Sequence, residues 1–176
     1  MQLELDAKLC KKYPKIFKNR YAPMTQTAMC WGFDHDDGWY NIIDMMCDNI
    51  QSHIDWTRTC RLHSLRYNRA LIRACSGDYS NYNRLSLWEQ RSITEEISMP
   101  EPQLKPVPEA CLQVVAVQVK EKFGTLNFYY SGGDDVIDGI VRMAESISAV
   151  MCEKCGAPAE THGSGWVRTL CEKHRQ

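Results

Sequence analysis

The chain has 176 residues, a formal net charge of -1 and 44% hydrophobic residues. That length fits one compact domain, or a core with a small appendage, and the near-neutral charge supplies no global field toward nucleic acid or a membrane surface. No stretch approaches the roughly 18 apolar residues of a membrane span, and Met1 to Lys12 carries no apolar run resembling a signal peptide.

The cysteines fall at Cys10, Cys30, Cys47, Cys60, Cys75, Cys111, Cys152, Cys155 and Cys171. The last three stand in a metal-ligand pattern. The other six are scattered where a small buried hydrophobe would serve, which points to reduced thiols in a cytosol rather than to three disulfides.

From the N-terminus, Leu3 to Tyr13 has the pattern of a short helix with Leu5 and Leu9 turned inward. Pro14 interrupts it, and Ile16 and Phe17 continue the apolar side. Lys8, Lys11, Lys12, Lys15, Lys18 and Arg20 fall in a window without an acidic residue, a solvated face or a small anion-facing patch. The cluster Asp34, His35, Asp36 and Asp37 offers carboxylates and an imidazole, but adjacent loop residues do not all aim at one ion. Asp36 or Asp37 instead suits the N-cap of the helix that follows. Trp39, Ile42, Ile43, Met46, Cys47, Ile50 and Ile54 recur with helical period and form its core-facing stripe.

Between Asp55 and Asp78 no acidic residue occurs, while Arg58, Arg61, Arg66, Arg69 and Arg73 recur at helical spacing. On a continuous helix all five lie within an arc of about 140° over roughly 22 Å. Arginine favours bidentate contact with phosphate or carboxylate, so this stripe is an anion- or partner-binding candidate, or else a solvated or internally paired face. Leu62, Leu65, Ile72 and Cys75 are expected to form the inner side of the same helix. Ser76 to Asn83 is a turn-rich loop with two tyrosines, and Leu85 to Ile97 reads as a helix with Leu87, Trp88, Ile93 and Ile97 as its apolar members. Pro100, Pro102, Pro106 and Pro108 mark an extended connector.

Valine-rich Leu112 to Lys120 and alternating Thr125 to Ser131 form an expected antiparallel hairpin with no evident third strand. Val136 to Met151 is the last clear helix, with Asp134, Asp135 and Asp138 at its start. These acids cap the helix and repel phosphate from the preceding glycines.

That helix delivers the chain into Cys152-x2-Cys155-Gly156, followed about fifteen residues later by Cys171-x2-His174. Three thiolates and one imidazole complete the ligand set of a closed tetrahedral Zn2+ site. With four protein ligands no position is left for water, so the metal is expected to be structural. His162 is the competing fourth ligand; His174 is preferred because it repeats the spacing of the first pair.

The run from Lys120 through Asp135, continuing through Ile140 to Ser146 into Cys152-x2-Cys155-Gly156-Ala157-Pro158 and Trp166-x3-Leu170-Cys171, resembles a family of small proteins encoded by bacteriophages and prophages. Trp31-Gly32-Phe33 and Asp37-Gly38-Trp39 are similar to that family as well, whereas residues 57–110 fall outside the likeness. The resemblance brings no catalytic residue. It implies an accessory phage protein in a bacterial host cytoplasm, where interference with a host machine or defence system is a common job.

The fold expected is α+β: helices packed on a β-hairpin and closed by a C-terminal zinc knuckle, either ribbon-like or treble-clef-like. The expected division is a core over 1–151 (helical 1–98, connector 99–109, hairpin plus helix 110–151) and a zinc module over 152–176. The leading function is a zinc-binding accessory protein that docks on a host protein and inhibits a defence or host-takeover target. The alternatives are a nucleic-acid binder using Arg58 to Arg73, and an enzyme with an acidic site. The sequence presents no paired nucleophile and base, phosphate loop or open metal site for the last of these.

Overall fold

The computed structural model describes residues 1–175. The chain divides into two units, Met1–Ile54 with Cys111–Gln176, and Asp55–Ala110. This differs from the expected division at residue 152. The C-terminal module belongs to the first unit, and the segment that stands by itself is the internal one.

In the first unit, α1 (Leu3–Lys12) buries Leu9, and the turn after it buries Ile16 and Phe17. The basic window is partly consumed inside the fold. Arg20 forks onto Asp6 at 2.7–3.0 Å, and Lys12 reaches Asp44 at 2.8 Å. Strands β2 (Leu112–Lys122) and β3 (Thr125–Gly133) pair antiparallel, as the alternation implied. Their two-residue turn has positive φ at both Phe123 (53°) and Gly124 (78°), the combination that matches hairpin twist. The hairpin does have a third strand. Two residues, β1 (Phe33–Asp34), pair parallel with Val119 and Lys120 of β2. So short a strand leaves no periodic signal, which is why the sequence did not announce it.

Helix α2 (Tyr40–Cys75) runs 36 residues without a break, and its first part supplies Ile43, Ile50 and Ile54 to the core. Helix α4 (Asp135–Ser148) contributes Ile137, Val141 and Ala144 to the same core, together with Leu126 and Phe128 of β3. Asp134 caps α4, accepting a hydrogen bond from the Ile137 amide at 3.2 Å. Among the described residues no helix is long and apolar enough to cross a membrane.

In the second unit, α3 (Leu87–Ile97) begins with a capping box, Ser86 and Glu89 each bonding the other's backbone amide. Its Ile93 packs with Tyr67, Ala70, Leu71 and Ala74 of α2. The expected inner face is therefore reversed. Leu62, Leu65 and Ile72 are 47%, 41% and 55% exposed, and Cys75 is exposed too. Both stripes are apolar at helical spacing, but only the Tyr67 and Leu71 side meets Ile93, so only that side is covered. Leu87 and Trp88 also face outward. The proline-rich connector is not a free linker. Asn68 clamps Lys105 through both amide atoms at 2.8 Å, and the Lys105 ammonium lies 3.6 Å from the centre of the Tyr67 ring.

His35 is buried between Phe33 and Trp39, its Nδ1 donating to the Asp36 carbonyl at 2.7 Å and its Nε2 unpartnered. Burial pushes its pKa down from 6.5 to about 4, against weaker opposing pulls from Asp36 and Asp34. An unfolded chain therefore takes up a proton below pH 6.5 that the folded chain refuses until about pH 4. Stability contributed here is full above the ordinary histidine pKa and falls by up to about 3 kcal/mol as pH drops through that window. Comparing denaturant unfolding of wild type and His35→Asn at pH 7.5 and pH 4 should show their stability difference changing by about that amount. A difference independent of pH would contradict the assignment.

Candidate metal centre and arginine face

The C-terminal ligands are brought together by three local devices. Gly156, at φ 74°, lets its amide return to the Cys152 carbonyl at 2.8 Å, while the Cys152 amide bonds the Ala157 carbonyl at 2.7 Å. Strands β4 (Glu160–His162) and β5 (Arg168–Leu170) form a small hairpin that brings the chain back to Cys171. A single 3-10 turn, Glu172–His174, then folds His174 onto Cys171.

The donor atoms of Cys152, Cys155, Cys171 and His174 lie within 4.8 Å of one another. His174 Nδ1 is 3.5 Å from Cys152 Sγ and 3.3 Å from Cys171 Sγ, and the Cys155 and Cys171 sulfurs are 3.7 Å apart. Donors at about 2.0–2.3 Å from one tetrahedral ion sit about 3.3–3.8 Å from each other, so the cluster has the dimensions of a four-coordinate metal site. His162 lies outside it, on β4 near Glu160.

The electrostatics favour a cation. Desolvation raises the Cys152 thiol, but backbone hydrogen bonds from Cys171, Cys155 and Lys154 and the side chain of His174 outweigh it and hold the pKa at about 6. At Cys155 a backbone bond with Ala157 lowers the pKa, yet desolvation and the neighbouring Cys152 and Cys171 leave it raised. One thiolate is thus formed readily, and the Cys155 thiol beside it resists ionising until a cation arrives.

Sequence reasoning missed what fastens this module to the rest of its unit. Glu153, between the first two ligands, is buried and takes Arg168 at 2.8 Å, while the same guanidinium reaches Asp36 at 2.8 Å. The Asp36 amide donates to Glu153 at 3.2 Å and the Gly38 amide to the Glu153 carbonyl at 2.7 Å. Asp36 does occupy the N-cap position of a 3-10 turn, Asp37–Trp39, but its carboxylate does not cap it. The Asp34 to Asp37 cluster makes no convergent acidic site: Asp36 serves Arg168, Asp37 accepts the Gln2 amide at 2.7 Å, Asp34 is exposed, and His35 is buried.

The five arginines do not act as one stripe. Arg58 pairs with Asp55 at 3.6 Å, Arg61 donates to the Pro108 carbonyl, and Arg73 lies near Asp78 and Ser80. Arg66 and Arg69 remain, and among the described residues neither makes an ion pair or hydrogen bond. Together with Arg84, Asn81 and Leu85 they line a recess of about 320 Å³. Arg84 stands in the turn before α3, away from the helical pattern, so helix periodicity gave no signal for it.

No protein-family model, curated protein or solved structure matches the chain.

Replacing Cys171 by Ser should lose the ion of this cluster and lower the melting temperature; a metal content equal to wild type with an unchanged melt would contradict the ligand set. A Cβ on Gly38 would meet the Cys152 carbonyl at 2.2 Å and the Cys155 amide at 2.6 Å. Gly38→Ala should therefore cost about 1–3 kcal/mol of stability and loosen metal binding together. Unaltered metal affinity in that variant would show that the loop and the ligand turn are independent.

Proposed function

We propose that the chain is a zinc-stapled accessory protein that docks on an acidic surface of a protein partner. The observation that carries this reading is the trio Arg66, Arg69 and Arg84 around one recess, whose side chains make no ion pair or hydrogen bond among the described residues. Leu62, Leu65, Arg66, Arg69, Ile72 and Arg73 share one side of α2, within an arc of about 120° at 100° per residue. Exposed leucine and isoleucine beside unpaired arginine is the composition of a protein interface, with apolar contact for burial and guanidinium for specificity. An extended nucleic-acid track would need phosphate contacts along the whole helix. Arg58 and Arg73 stand beside carboxylates and Arg61 is fastened to the Pro108 carbonyl, which leaves Arg66 and Arg69 as the arginines of this helix without a partner among the described residues.

Zn2+ is the ion that three thiolates and one imidazole in closed tetrahedral array select, and it acts structurally there. A knuckle, a hairpin and a final turn bearing two ligands follow the order of a treble-clef-like finger. The resemblance to phage-encoded proteins makes the partner a bacterial host protein, with inhibition of a defence or takeover target as the outcome of docking.

Fluorescence anisotropy with a labelled peptide alternating Glu and Leu, beside single-stranded DNA, duplex DNA and RNA, tests the reading. The peptide should bind, and Arg66→Ala, Arg69→Ala and Arg84→Ala together should weaken it at least about 30-fold, from a loss of roughly 2 kcal/mol in charge-assisted hydrogen bonds. Oligonucleotide binding tighter than peptide, lost steeply with added salt, would replace the proposal with a nucleic-acid function.

A further inference from the structure

We infer that His53, Cys111 and Asp134 form a second metal site, for a Zn2+-class ion with an open coordination position. Their donor atoms lie within 4.8 Å of one another. They come from three segments far apart in sequence, so their meeting is a property of the fold. His53 stands on α2 one residue before the chain leaves the first unit, Cys111 is the first residue on its return, and Asp134 caps α4. The sheet register explains two of the three positions: Leu112 pairs with Gly133, so Cys111 and Asp134 are the next residues out at the same end of the hairpin.

The site has a supporting shell. Asp134 uses one carboxylate oxygen to cap α4 at 3.2 Å and turns the other to His53 Nε2 at 2.8 Å. The Gln113 side chain donates to Gln51 at 3.0 Å, fastening the strand that carries Cys111 to the helix that carries His53. The His53 and Asp134 side chains are 22% and 36% exposed, so an ion has access from solvent.

One sulfur, one nitrogen and one oxygen donor suit zinc or a neighbouring transition ion, whereas calcium and magnesium prefer all-oxygen sites. Two donors at about 2.0–2.1 Å from a tetrahedral ion stand about 3.3 Å apart. Binding therefore replaces the His53–Asp134 hydrogen bond and spreads that pair by roughly half an ångström. With three protein ligands the fourth position is left to water or a small ligand, which distinguishes this site from the closed Cys152 cluster. The ion would also tie the point where the chain leaves the first unit to the point where it returns.

The test is zinc stoichiometry. Full-length protein, stripped with chelator, reloaded with Zn2+ and desalted, is measured by native mass spectrometry beside His53→Ala, Cys111→Ser and Cys171→Ser. Wild type is expected to hold two ions and each variant one, with circular dichroism confirming the fold; His53→Gln replaces any variant that fails to fold. In Co2+-loaded protein, Cys111→Ser should remove only part of the thiolate charge-transfer absorption and Cys171→Ser the larger part. Wild type holding one ion, or His53 and Cys111 variants still holding two, would overturn the second site.

Discussion

The loop Asp36 to Gly38 and the turn that carries Cys152 and Cys155 share one contact surface, and it leaves no room for a side chain at residue 38. An added Cβ would lie 2.2 Å from the Cys152 carbonyl. Across this surface the Gly38 amide bonds the Glu153 carbonyl, and Arg168 bridges the carboxylates of Glu153 and Asp36. Glu153 is buried, so removing Arg168 would leave an uncompensated charge, an outcome that generally costs several kcal/mol. The ligand turn is thus held from outside by the N-terminal loop, and its four donors, within 4.8 Å of one another, could hold a cation from inside. Trp39, next in the chain, is buried and donates its indole N–H to the Met151 carbonyl at 2.9 Å, so the same contact reaches into the core.

Much of this was legible because it is local. Cys152-x2-Cys155-Gly156 and Cys171-x2-His174 announce a ligand set by spacing alone, and the alternation of Thr125 to Ser131 announces a strand. The stripe from Trp39 to Ile54 gives a helix whose face is correctly assigned, since Ile43, Ile50 and Ile54 are fully buried. The continuation of that helix shows where periodicity stops helping. It locates two apolar sides without saying which one meets a partner, and Ile93 chooses the side of Tyr67 and Leu71. Glu153, Arg168 and Asp36 were invisible for another reason, since Asp36 lies more than a hundred residues before the other two and their meeting has no spacing rule. His53, Cys111 and Asp134 are hidden in the same way.

The arginines show how structure sharpens a compositional signal. Five cations at helical spacing suggested one surface, but neighbours inside the second unit consume three of them. What remains is smaller and more specific: two helix arginines joined by Arg84, a recess, and exposed leucine and isoleucine alongside. That composition is the basis of the proposed docking on an acidic, partly apolar protein surface rather than along a phosphate backbone. The acidic cluster at Asp34 to Asp37 resolves the other way, because Asp36 and Asp37 are occupied in holding the fold.

Hydrogen exchange of backbone amides with and without chelator tests most directly the claim that the metal cluster and the N-terminal loop hold one another. Removing the metal should deprotect Gly38 and its neighbours together with the amides of Cys152 and Gly156, while the amides pairing β2 with β3 keep their protection. Unchanged protection at Gly38 in the stripped protein would contradict the account, because it would mean that the loop keeps its place whether or not the four ligands are gathered.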